Sequence, residues 1–229
     1  MRFKTRQARL EKQVYESINE LEEEFGLEVD DYPEVRWLGR LERFEDLGLP
    51  ETYREPIEDN RRTGGSIYLH KPNVIIINKE LPRHVNEESS HCFHLNNAGI
   101  HLLDKTPQDW YSVNVLIEMF GYLGSKILDP SRKNIYAEYP DYLSVSFQKG
   151  LGVKEALGSL RELDKATLSE FLINSQGYGL GERMFYALES GELSTERVRN
   201  LLRKRFKRKG SATNELMKLR GEFWPIRVE

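Results

Sequence analysis

NVIIINKELPRHVNEESSHCFHLNNAG, residues 73–99, carries two different hydrophobic patterns within one short stretch. The apolar, β-branched run Val74–Ile77 is the strongest strand signal in the chain. From about residue 80 to 98 the pattern turns helical, and Asn96, Asn97 and Gly99 mark its end. Three of the chain's five histidines and two adjacent acids fall inside this helix, between residues 84 and 94. A solvated helix carries glutamate easily but rarely gathers histidine in this way.

Outward from that stretch the pattern extends in both directions. SIYLH (66–70) and NVIIIN (73–78) flank Lys71-Pro72 and predict a hairpin. EVRWLGRL (34–41) predicts a further strand. Leu10, Val14, Ile18, Leu21 and Phe25 form one stripe of a helix over 3–25, which Gly26 ends. Residues 42–65 carry Pro50, Pro56 and Gly64-Gly65 and predict loop with one short helix. A strongly apolar helix is expected over 108–128, through Val113, Leu116, Ile117, Phe120, Leu123 and Ile127, with Asp129-Pro130 as its stop. Residues 131–150 give no clear element. Shorter helices are expected near 152–163, 165–175, 180–190 and 194–207, the last capped by Ser194-Thr195-Glu196. Residues 210–229 read as a tail docked through Phe223 and Trp224. The order predicts an α+β fold, a small strand layer on the motif-bearing helix with a mostly helical C-terminal half. The expected division is a core over 1–130 and a helical subdomain over 131–229, or one continuous domain.

Composition narrows the class. The chain has 229 residues, room for one large domain or one domain with a helical extension. A net charge of −3 gives no global attraction to nucleic acid or an anionic membrane. Cys92 is the only cysteine, so no internal disulfide forms and a reducing compartment is expected. The first residues lack the apolar region of a secretory signal, and no apolar run approaches the roughly 20 residues that span a bilayer. The expectation is a soluble, cytoplasmic protein without a membrane partner.

On a helix, positions i, i+3, i+4 and i+7 share a face. From His84 these are Glu87, Glu88 and His91, and His94 follows one turn after His91. Ligands at i and i+4 can grip one metal ion, and a carboxylate at i+1 then stands beside it to take a proton from water. A lone E-x-x-H, Glu88 to His91, as in di-iron bundles, requires a second such motif, and the chain has none.

VIIIN followed by a short connection and EESSH on a helix resembles the zincin metallopeptidases. LIEMFGYLG (116–124) is similar to the later helix that supplies a glutamate ligand in the gluzincin branch. Glu118 stands in the acidic position there, between Ile117 and Met119, and a buried carboxylate is costly without a partner. Gly121 and Gly124 would let the two helices approach closely. The resemblance covers about residues 66–128. It implies zinc held by Glu87, His91 and Glu118, Glu88 as general base, and a peptide or protein substrate paired along the strand Ile75, Ile76 and Ile77. The departure is Glu87, which stands where the family has its first histidine. Two carboxylate ligands and one imidazole offset the charge of the ion and acidify water less. A second frame also satisfies the helical spacing, with His84, Glu88 and His91 as ligands and Glu87 or His94 as accessory.

Other features carry weaker chemistry. Cys92 adjoins His91, but successive helical residues point about 100° apart, so a structural cysteine is expected rather than a nucleophile. QGYGLGERMF (176–185) predicts a tight turn between helices, with an anion nest as the functional alternative. Nothing in the sequence positions Tyr178 or Arg183 to steady an oxyanion. RKRFKRKG (203–210) places six cations, Arg203, Lys204, Arg205, Lys207, Arg208 and Lys209, in seven residues. The expected reading is the solvated end of a helix, with weak nucleic-acid contact as the functional alternative. The expected function is metal-dependent peptide hydrolysis, or a descendant that has lost it. The alternative is a non-enzymatic binding module on the same scaffold, touching nucleic acid through 203–209.

Overall fold

The computed structural model describes residues 2–39, 43–63, 65–79, 81–98, 107–134 and 165–223. Helix α1 (Arg2–Phe25) buries the expected stripe completely: Leu10, Val14, Ile18 and Leu21 are 0% exposed. Gly26 ends it with φ +58°, a left-handed conformation that costs glycine little. Strand β1 (Glu34–Trp37) is shorter than the expected 34–41. Two 3-10 turns, Phe44–Leu47 and Glu51–Tyr53, lead into α2 (Arg54–Thr63). Strands β2 (Ile67–Leu69) and β3 (Val74–Ile77) form the expected antiparallel hairpin.

The sheet has the order β1-β3-β2, with β1 parallel to β3. Its two faces explain why Val74–Ile77 reads as a continuous apolar run. Ile75 and Ile77 face the main core, while Val74 and Ile76 face a smaller cluster with Leu38, Phe44, Leu47 and Ile57. The outer edge of β1 is closed by α1. The Gln7 side chain donates to the Val35 carbonyl and accepts from the Trp37 N–H, satisfying strand groups that would otherwise face water. β2 is therefore the edge strand on the other side.

Helix α3 (Pro82–Ala98) follows the sheet, then α4 (Pro107–Leu128). Beyond them lie α5 (Lys165–Glu189), α6 (Thr195–Leu202) and α7 (Ser211–Phe223). Seven α-helices and three strands among the described residues make an α+β fold with a mostly helical C-terminal half. One buried cluster runs from Leu10 on α1 to Leu219 on α7. Ser194 caps α6 as expected, accepting from the Arg197 N–H. No described helix is long and apolar enough to cross a membrane. The helix expected over 152–163 lies outside the described residues, as does Trp224. Phe223 packs against the main core as expected.

Three expectations are corrected. QGYGLGERMF is not a turn or a nest; it is the middle of α5, and the helices expected over 165–175 and 180–190 are one. Packing against α4 outweighs the roughly 1 kcal/mol that each glycine costs a helix. A Cβ at Gly177 would lie 2.4 Å from Glu118 Cβ, and one at Gly181 would lie 2.6 Å from the Met119 carbonyl oxygen. The helix expected over 194–207 stops at Leu202, so the basic run is a connection to α7 rather than a helix end. The docked tail expected over 210–229 is a helix over 211–223. Asp109 on α4 holds the start of that helix by accepting from the Gly210 and Thr213 N–H groups at 2.7 and 3.2 Å.

Gly177→Ala should cost about 1–3 kcal/mol, the usual range for overpacking. The atoms it meets are the Glu118 Cβ and the α4 backbone, which cannot swing aside. A urea midpoint unchanged from wild type would show that α4 and α5 are not in this contact.

Candidate metal centre

α3 and α4 run antiparallel, and two glycines set how closely they pack. A Cβ at Gly121 would lie 2.2 Å from His91 Cε1, and one at Gly124 would lie 2.6 Å from Ser90 Oγ. The His91 ring therefore lies flush on the α4 backbone. This is the close approach that the two glycines imply in the sequence. Along one side of the helix pair runs a cleft of about 1150 Å³, which β2 and α5 also line.

Three side chains meet at its floor. Glu87, His91 and Glu118 offer donor atoms that all lie within 4.8 Å of one another. The His91 Nε2 is 3.9 Å from Glu118 Oε2. This is the one such group of three or more among the described residues, and it is the set implied by the zincin frame. The donor atoms of His84 and Glu88 do not join it. His84 is half-buried with its Nδ1 3.5 Å from Ser66 Oγ. Burial and then the charge of Arg83 hold His84 below the ordinary histidine range, and Lys79 and Arg132 act in the same direction.

The donor set fits a divalent ion. Zinc–ligand bonds of about 2.0–2.2 Å put two ligands of one tetrahedral ion roughly 3.5 Å apart. Closing from 4.8 Å needs side-chain shifts of about 1 Å. The His91 Nδ1 is buried without a hydrogen-bond partner among the described residues, so the ring is not already committed to a protein network. Burial pushes His91 toward its neutral, metal-ligating form.

Glu87 is held from two sides that its sequence neighbourhood does not announce. Arg132 Nη2 donates to its Oε2 at 2.8 Å, and the Tyr178 hydroxyl donates to its Oε1. Arg132 is itself boxed in: its guanidinium lies 4.8 Å from the Tyr122 ring centre and 5.4 Å from that of Tyr178, and it donates to Ser125 Oγ. Burial keeps the Tyr178 phenol protonated well above its usual range, so it remains a donor. Tyr178 thus acts on a carboxylate rather than in an anion nest. Arg132, the other partner of Glu87, leaves no local signal in the sequence because the contact spans 45 residues of chain. The spacing Gly177-x-x-x-Gly181 was a usable signal that α5 packs closely and brings Tyr178 inward.

Glu88 is 7% exposed and lines the cleft. Burial raises its pKa well above the carboxylate range, and the charges of Glu87 and Glu118 add to this. The nearby Tyr68 backbone opposes the shift, so Glu88 stands where α3 faces the edge strand β2. Ile75, Ile76 and Ile77 do not pair with substrate along an edge: β3 is the central strand, and all three are 0% exposed. The strand edge that borders the cleft is β2, through Ser66, Ile67 and Tyr68.

Cys92 is a buried free thiol pushed up to about 12 by burial, which leaves no thiolate to act as nucleophile. Its neighbour Asn96 donates to the Tyr68 hydroxyl at 3.1 Å, part of the polar contact between α3 and the hairpin. His94 faces away from the cleft, 4.4 Å from the Phe120 ring centre, and burial holds its pKa down to about 3.

That histidine makes a testable contribution to acid lability. Between pH 6.5 and about 3 the unfolded chain binds a proton at residue 94 and the native chain does not. Native stability then falls by about 1.4 kcal/mol per pH unit as pH drops through this window. Glu88 works in the opposite direction, because its native pKa is raised and protonation on acidification favours the native state. Comparing wild type with His94→Leu separates the two. Between pH 7 and 5 wild type should lose about 2 kcal/mol relative to the variant in urea titrations. Parallel losses would show that His94 is not buried neutral.

Comparison of the chain with protein-family models, with curated proteins and with solved structures finds no match.

Proposed function

We propose that the chain is a metal-dependent peptide hydrolase of the zincin arrangement. The observation that carries this reading is the convergence of Glu87, His91 and Glu118 within 4.8 Å at the floor of a cleft bordered by a strand edge. The three residues would hold zinc, which supplies Lewis acidity toward a carbonyl and toward water. Glu88, beside the donors but outside their group, would take the proton from the attacking water. A carboxylate with raised proton affinity suits that work near neutral pH. β2 rather than β3 would lie along the substrate backbone. Arg132 offsets the extra negative charge of Glu87, which answers part of the weakness expected from two carboxylate ligands. A buried free cysteine fits a cytoplasmic setting. The test is cleavage of a fluorogenic peptide library. Activity should vanish on dialysis against chelator and return with zinc, and activity indifferent to chelator would exclude the reading.

A second reading, a non-enzymatic binding module, draws on the Arg132–Glu87 pair itself. A guanidinium beside the carboxylates compensates their charge without an ion. On this reading the basic connection 203–209 is the place to seek a nucleic-acid contact. Its geometry favours only weak binding. Phe206 is buried rather than offered to a base, and Lys204 pairs with Glu215. The remaining five cations should give single-stranded DNA binding that falls about a hundredfold between 50 and 200 mM salt. Tight binding that survives 200 mM salt would promote this reading over the hydrolase.

A further inference from the structure

The cleft is polarised along its length, and the antiparallel packing of α3 and α4 fixes the order. Because Ser90 and His91 face Gly124 and Gly121, the start of α3 lies beside the end of α4. The Arg132–Glu87 contact agrees with that direction. At this end the cleft is lined by Lys79, Arg83 and Lys133, all exposed, and none of the three is in an ion pair among the described residues. The carboxylate there, Asp129, turns into its own loop and accepts from the Ser131 hydroxyl and N–H. At the opposite end the lining is Leu95, Trp110, Ile117 and Ile173, with Trp110 53% exposed. Glu87, Glu88, His91 and Glu118 lie between the two ends.

We propose that this cleft selects an extended peptide with an acidic side chain on the Lys79–Arg83–Lys133 side of the Glu87–His91–Glu118 group and an apolar side chain on the Trp110 side. The inference deepens the hydrolase reading and rests on it for the position of the reacting bond. The spacing follows from helix geometry. From Arg83 to Leu95 the helix α3 advances twelve residues, about 18 Å. An extended chain advances roughly 3.3–3.6 Å per residue, so the two selected side chains stand about five positions apart, each two positions beyond a central pair. Cations without an ion pair among the described residues, in a chain of net charge −3, favour an acidic partner at that one end, and the aromatic wall favours burial of an apolar group at the other. A nucleic acid would meet the cations equally well and could stack a base on Trp110, but the β2 edge offers main-chain pairing that a peptide uses and a nucleic acid does not.

The test is fluorescence anisotropy on the full chain with labelled octapeptides. Each has a central Ala-Ala pair, Glu two positions to one side and Leu two positions to the other, in both orders. Control peptides replace Glu by Lys or Leu by Ser, and an oligothymidylate of eight nucleotides serves as competing polyanion. The better order should bind at least fivefold tighter than either control. Arg83→Glu combined with Lys133→Glu should abolish the Glu-over-Lys preference and leave the Leu-over-Ser preference. Trp110→Ser should do the reverse. A preference below fivefold, absence of peptide binding, preferences unmoved by these variants, or tighter binding of the oligothymidylate would each overturn the proposal. Zinc content measured on the same samples keeps the two readings apart. Peptide selection by protein that takes up no zinc removes the hydrolase and keeps the selective cleft, while zinc uptake without selection removes only the selectivity.

Discussion

Arg132→Met should destabilise the metal-free protein by about 3–5 kcal/mol, the usual cost of stripping one partner from a buried ion pair. The Arg132 side chain is 8% exposed and that of Glu87 13%, so water offers the surviving carboxylate little compensation. Glu118, in the same donor group, adds a second negative charge nearby. The variant also empties the slot between the Tyr122 and Tyr178 rings that the guanidinium fills. Two further measurements identify the cause. Adding Glu87→Met to Arg132→Met should recover much of the loss, because removing both charges of a buried pair is often close to neutral. Saturating zinc should also recover part of it, about 2.7 kcal/mol at a hundred times the dissociation constant. Thermal or urea unfolding in chelator, repeated with zinc, reads all three. A single variant as stable as wild type in chelator would mean that the Arg132–Glu87 pair is not formed.

The second large effect is catalytic. Glu88→Gln should lower kcat/KM for a cleaved peptide by about 10²–10⁴, the usual share of a general base. Bound metal should stay unchanged, because Glu88 stands outside the donor group. The substitution keeps the side-chain shape and removes a buried charge, so the fold should hold. Wild-type activity should rise with pH through a limb that belongs to ionisation of Glu88. Glu88→Gln should lose that limb. An unaltered rate in the variant would remove Glu88 from the chemistry.

What was legible in the sequence was local. The α1 stripe, the hairpin around Lys71-Pro72, the ends of α3 and α4 and the Ser194 cap each depend on residues a few positions apart. The pairing of helix faces was legible where glycine marked it, at Gly121 and Gly124. The same residue misled at 176–181, since a glycine that permits a turn also permits close helix packing, and only the neighbouring α4 decides between them. Strand order was hidden because β1 and β3 pair across 40 residues of chain, as the partners Glu34 and Val74 show. A buried central strand and a cleft-side strand of the same composition look alike in one dimension. The candidate site divides in the same way. Glu87, Glu88 and His91 are neighbours on one helix, and Glu118 stood out as an acid in an apolar helix. Arg132 and Tyr178 reach Glu87 across 45 and 91 residues, and no local pattern marks either as its partner.

Metal stoichiometry is the most direct measurement on the Glu87–His91–Glu118 group. The protein should be purified without a polyhistidine tag, stripped with chelator, titrated with zinc against a competing indicator, and assayed by elemental analysis. The expected result is one equivalent of zinc for wild type, abolished in His91→Ala and Glu118→Ala and retained in Glu88→Gln. Wild-type protein that takes up no zinc, or takes it up equally well after His91→Ala, would contradict a metal centre at these three residues.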